Sequence, residues 1–472
     1  MRTRFAALLA LPMLLSGTAH GSDLQYTLDY SADGESMLVR VCSETPAAQR
    51  HFSLDRGAFV YLSGMQRSRG EAPRRDDEEW IAEDWRAGDC LSYRAALGQI
   101  ADRCEGDVGY RIGKDLLTSP QQWLLHTRSR EAADVQLTLP VGYSASVPWQ
   151  VQVQPTGDTG PRHYRMPVTP TSWSSSIAIG RFSERALVVN NATVRVSILD
   201  EVSTATRRML EDWIAEVAQV ARSAYGALPV ADVQVLLLPV VSGRSGAVGF
   251  GKSTRGQGNA LMLLIDPSQS RAEFRADWTA VHEMGHLFHP YLGDAGRWLA
   301  EGLASYWQNV LRARAGWLSA PLAWQRLDAG FKRGREDAHS GTSLAELVDG
   351  RHGGNAFMRI YWGGAAYWLR VDSELRTRDP ALSVDVALQR FRDCCMAERR
   401  EWNPAEFVAK LDALLGVDTF TRNYRAAAVE STFPDLSDIY RNLGLVRGVD
   451  GLVQLDDHAS GRAVRDAIMR RP

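Results

Sequence analysis

The chain has 472 residues, 45% hydrophobic and 23% charged, with a formal net charge of −2. At ~150 residues per domain this suggests about three domains, and it excludes long intrinsic disorder, a collagen-like repeat or a coiled coil as the overall description. The basic excess that a nucleic-acid binder needs is missing.

The amino terminus reads as a targeting segment. Arg2 and Arg4 precede an apolar run over 5–15, broken by Pro12, and then a small-residue stretch, Ser16 to Gly21. That layout predicts a secretory signal over 1–21, cleaved near Gly21. The run falls short of the ~20 apolar residues that span a bilayer. The expected mature protein is therefore exported, secreted or periplasmic, with no membrane insertion after cleavage. The style of the signal points to a bacterial periplasm.

Residues 22–200 read as a β-sandwich-like domain. Short β-rich runs recur at 37–42, 58–62, 90–97, 134–139, 149–153, 177–182 and 186–199, bounded by turn residues. The charged stretch 67–79 is expected to be a solvated loop. Export makes disulfides plausible. Five cysteines are present, so at least one lacks a partner within the chain. Cys42–Cys90 is favoured, Cys90–Cys104 stays open, and a bond between adjacent Cys394 and Cys395 would be strained.

The pattern changes near Ser203. Met209, Leu210, Trp213, Ile214, Val217, Val220 and Ala221 have helical spacing. Strands are expected at 233–238 and 260–265, with a Gly-rich stretch, 243–258, between them. From Arg271 onward nearly everything reads as helix. The expected division is an α/β domain over 201–330, a helical part over 331–445, and a weakly patterned tail over 446–472.

Within a helix expected over 271–289 lies His282-Glu283-Met284-Gly285-His286, an H-E-x-x-H sequence. Residues four apart lie one turn apart on one helix face, so both imidazoles can reach one zinc ion. Glu283, one position on, is placed to take a proton from the attacking water. Catalytic zinc usually has three protein ligands and an open position. Glu301, a carboxylate in the apolar stretch Trp298 to Trp307, wants a partner, and zinc would supply it. His289 reads as an ordinary helix-end histidine, with a supporting role behind the ligands as the alternative, and His352 as a surface-loop histidine, with substrate binding as the alternative. The Gly-rich stretch lacks phosphate-loop spacing; an edge strand that pairs with an extended peptide is the better reading.

Trp298-Leu299-Ala300-Glu301-Gly302-Leu303-Ala304-Ser305-Tyr306-Trp307, following H-E-x-x-H, resembles the gluzincin metallopeptidases. Among them the chain looks most like the glycyl aminopeptidase family, and more distantly like aminopeptidase N. The resemblance implies a β domain, a thermolysin-like catalytic half and a helical half. It implies one zinc per chain on His282, His286 and Glu301. It also implies that the Tyr361 hydroxyl supports the oxyanion, as the text Tyr361-Trp362-Gly363-Gly364 matches the family's tyrosine helix.

The departures bear on substrate. Only fourteen residues separate His286 from Glu301, and Gly363 stands where the family commonly has a lysine. The Gly-rich strand carries no glutamate for a substrate α-amine. Too few residues follow Gly444 for a PDZ domain. The expected function is therefore zinc-dependent hydrolysis of peptides, aminopeptidase-like, with an endopeptidase or small-peptide hydrolase as the rival. A non-catalytic zinc-containing binding protein is the reading from another class, and Glu283 argues against it.

Overall fold

The computed structural model describes residues 24–77, 79–127, 132–153, 160–190, 192–240, 246–337, 341–348 and 356–471. The expected signal segment and His352 lie outside them.

The amino-terminal part is β-rich. A seven-stranded sheet runs in the order Gln150–Val153, Arg162–Met166, Ala133–Thr138, Leu24–Ser31, Ser36–Ser43, Asp89–Ala96, Leu62–Arg67. Leu24, Tyr26, Leu28 and Tyr30 alternate inward, the period-2 pattern of a sheet with one buried face. They share a core with Phe52, Ala82 and Trp85 of a four-stranded sheet. Cys42 and Cys90 stand opposite each other in the antiparallel register and are bonded. Cys394 and Cys395 are also bonded, against the expectation from their adjacency, and Cys104 is free. Residues 58–61, expected as strand, form a 3-10 turn that leads into Leu62–Arg67.

A five-stranded sheet follows, ordered Glu184–Val189, Ala192–Ile198, Asp232–Pro239, Ala260–Ile265, Val248–Thr254. The middle three strands are parallel. The crossover between the first two of these is the helix Thr204–Ala221, whose amino end is capped by the Ser203 side chain. The hairpin 184–198, expected in the amino-terminal domain, thus pairs with Asp232–Pro239 instead. Its alternating pattern reads the same on either sheet, because alternation reports a buried face and not the pairing partner. Val248–Thr254 is an antiparallel edge strand, in keeping with the edge strand expected from the Gly-rich stretch.

The rest is largely helical. The single helix expected over 271–289 is three pieces: Arg271–Ala276, Thr279–Gly285 and a 3-10 turn, His286–Phe288. Asp277 breaks it by turning extended, and its carboxylate accepts the Thr279 N–H to start the next piece. The tail is ordered, with a hairpin, Leu445–Arg447 and Val453–Leu455, and a helix, Arg462–Met469. Ile468 is fully buried and its carbonyl accepts from Arg314 Nε at 2.9 Å. Elements this short leave little periodicity to read. No helix among the described residues is long and apolar enough to cross a membrane.

Candidate active site

His282 and Glu283 lie on Thr279–Gly285, and His286 opens the 3-10 turn after it. Glu301 comes from the first turns of the helix Arg297–Arg314. One ligand atom from each of His282, His286 and Glu301 falls within 4.8 Å of the others. His282 Nε2 is 3.2 Å from Glu301 Oε2, and His286 Nε2 is 3.5 Å from the same oxygen.

The far side of each imidazole fixes which nitrogen carries the proton. His282 Nδ1 is 2.9 Å from Gln308 Oε1. An amide oxygen only accepts, so Nδ1 holds a hydrogen and Nε2 is the nitrogen left to face Glu301 or a metal. His286 is set by a relay. His289 Nδ1 donates to the Pro290 carbonyl at 2.7 Å, which leaves His289 Nε2 to accept from His286 Nδ1 at 3.2 Å. Arg255 ties this turn down by donating to the carbonyls of His286 and His289. His289 is therefore a buried partner of His286, the less favoured of its two sequence readings.

The electrostatics follow from burial and proximity. Burial alone would raise the Glu301 carboxyl, but His286 and His282 hold it well below the usual range. Burial lowers His282, yet the Glu301 and Glu283 carboxylates more than offset this and keep it raised. Glu283 is pushed up by burial, against the pull of the two histidines. His289 is driven well down by burial, Arg255 and His286, in keeping with a neutral acceptor ring.

Glu283 packs under the edge strand. A Cβ on Gly251 would fall 2.7 Å from Glu283 Cγ, so only glycine lets the strand approach this closely. Tyr361, on the helix Phe357–Arg378, lies parallel to the His282 ring at 5.8 Å between centroids. Burial and the nearby Glu301 carboxylate raise its hydroxyl, which stays protonated. Trp278 stands edge-on to the same imidazole. His282, Glu283, His286, Glu301 and Tyr361 thus meet in one cluster.

No family model matches the sequence, and no curated protein matches it significantly. Solved structures do. An aminopeptidase N family protein from Idiomarina loihiensis superposes with a TM-score of 0.68 at 12% identity, over 92% of this chain and 82% of that one. An M1 zinc metallopeptidase from Deinococcus radiodurans gives 0.55 at 16% identity, over 88% and 94%. This chain has the fold of the M1 zinc metallopeptidases. A mutant M1 zinc metallopeptidase from Deinococcus radiodurans, bound to a Tyr-Ser-Ala substrate, gives 0.53 at 16%, over 88% and 96%.

Within this M1-type fold the donor set suits a zinc ion. Two Nε2 lone pairs and one ionised carboxylate converge on one point, a set proper to tetrahedral zinc with an open position. Gln308 escaped the sequence reading although it sits two turns after Glu301 on the same helix face, a spacing that could have flagged it. The edge strand carries no acid, and its Lys252 pairs with Asp107.

Proposed function

We propose that the chain is an exported zinc peptidase that hydrolyses peptide bonds, with His282, His286 and Glu301 holding one zinc per chain. The observation that carries this reading is the convergence of these ligand atoms with Glu283 and Tyr361 beside them. A zinc ion there supplies a Lewis acid for the scissile carbonyl and for water. Glu283 takes the proton of the attacking water and passes it to the leaving amine. Tyr361 keeps its proton and donates a hydrogen bond to the carbonyl oxygen as charge develops on it. Gln308 and His289 hold the imidazoles in the tautomer that binds metal. The strand Val248–Thr254 offers its free edge to an extended peptide.

On this reading the five-stranded sheet and the H-E-x-x-H helix form a thermolysin-like catalytic half. The amino-terminal segment and the Cys42–Cys90 bond support export. The fold favours an aminopeptidase. The edge strand without an acid favours a small-peptide hydrolase or endopeptidase, since an α-amine would lack a counter-charge there.

A peptide panel with free and acetylated amino termini decides between them. Cleavage of free-amine peptides alone identifies an aminopeptidase. Equal cleavage of acetylated peptides identifies the rival, and no zinc-dependent cleavage of any peptide overturns the peptidase reading.

A further inference from the structure

A cavity of about 600 Å³ opens beside the metal cluster, with Trp278, Gln308, Arg312, Arg326, Arg333 and Tyr361 in its wall. It adjoins the candidate active site through two of its wall residues: Gln308 binds His282 and Tyr361 stacks on it. Among the described residues no Asp or Glu lines it, whereas three arginines do.

The arginines come from two helices. Arg326, Ala329 and Arg333 share one face of Ala320–Arg335 at i, i+3 and i+7, and the small Ala329 leaves room between them. Arg333 lies over the Trp362 ring, 5.0 Å from its centroid. Neither Arg326 nor Arg333 has a carboxylate partner among the described residues.

Arg312, on the facing helix, is fully buried. Its Nη2 donates to the carbonyls of Arg275 and Ala276 at 3.1 and 2.7 Å. Its Nε and Nη1 find no hydrogen-bond partner among the described residues. Burial and the Arg326 charge bring it down to about 10, with Asp277 pulling the other way. The Asp277 carboxylate is already engaged by the Thr279 N–H. A buried cation with unpaired donors is costly unless an anion compensates it. A solvated row of arginines would explain Arg333, which is exposed, but not Arg312.

We propose that this cavity seats a carboxylate of the peptide substrate and makes the enzyme selective for anionic peptides. This rests on the peptidase reading. A guanidinium fork matches a carboxylate in shape and charge, and Trp278, Trp362 and Tyr361 offer apolar wall to the chain that carries it. The carboxylate is either the peptide's own carboxyl terminus or an acidic side chain.

The test measures binding apart from hydrolysis. Zinc-loaded wild type, Arg326→Gln and Arg333→Gln, each checked by thermal melting, are titrated with N-acetyl-alanine, N-acetyl-alaninamide and the amide of N-acetyl-glutamate. The same proteins are assayed on peptide pairs that differ only in a terminal carboxylate or amide, or in Glu against Gln. At least one carboxylate probe should bind wild type tenfold or more tighter than N-acetyl-alaninamide, and the arginine variants should lose that margin. Whichever probe gains identifies the source of the carboxylate. No margin in wild type, or a margin that survives in both variants, overturns the proposal. A margin without cleavage of any peptide upholds the cavity and sinks the peptidase reading; cleavage without a margin does the reverse.

Discussion

Gly302 and Gly364 meet backbone to backbone: a Cβ on Gly302 would stand 2.5 Å from the Cα of Gly364. Their two helices cross at this point. Glu301 immediately precedes one glycine, and Tyr361 lies about one turn before the other. The contact therefore sets the distance between the candidate third ligand and the candidate oxyanion donor. Gly302→Ala should force the helices apart, at a cost of about 1–3 kcal/mol. We expect a lower melting temperature and reduced turnover. An unchanged melt and rate would contradict this account of the crossing.

The hydrogen bonds behind the imidazoles should appear in metal affinity. Gln308→Leu and His289→Phe each remove a partner that fixes a tautomer. Each should weaken zinc binding about 10–100-fold, read by competition with a chelator. Wild-type affinity in both variants would show that the partners do not orient the ligands.

Tyr361→Phe deletes the hydroxyl and keeps the ring on His282. If the hydroxyl acts only as charge develops, kcat should fall about 10²–10³-fold while KM and zinc content change little. A change confined to KM would make Tyr361 a substrate contact instead.

The pH profile follows from Glu283. Its carboxylate is the active form, and burial raises its proton affinity. Activity should therefore be lost as pH falls through that raised value. The acid limb of kcat/KM should lie above the ~4.3 of an ordinary glutamate. A limb at or below that value would show that burial does not set the proton affinity of this carboxylate in the zinc enzyme.

Much of the site was legible because its signals are local. H-E-x-x-H needs only one helical turn to bring two imidazoles together, and an acid in an apolar stretch marks itself. The role of His289 stayed open because it depends on the chain leaving the helix at Phe288, which a periodic pattern does not show. The arginine cavity was invisible because Arg312 and Arg326 meet only through the packing of two helices. The β-rich part was legible as strands, yet the hairpin 184–198, read with the amino-terminal domain, pairs into the sheet that follows it, since alternation does not name a partner. The break at Asp277 was missed because apolar spacing continues across it.

The central claim is that a zinc held by His282, His286 and Glu301 works with Glu283 to cleave peptides. The most direct measurement is zinc content together with peptide hydrolysis for wild type and Glu283→Gln. The account predicts about one zinc per chain in both proteins, with kcat/KM at least 10²-fold lower in the variant. Zinc bound with equal cleavage by both proteins would contradict the role of Glu283, and no zinc in the wild type would contradict the ligand set.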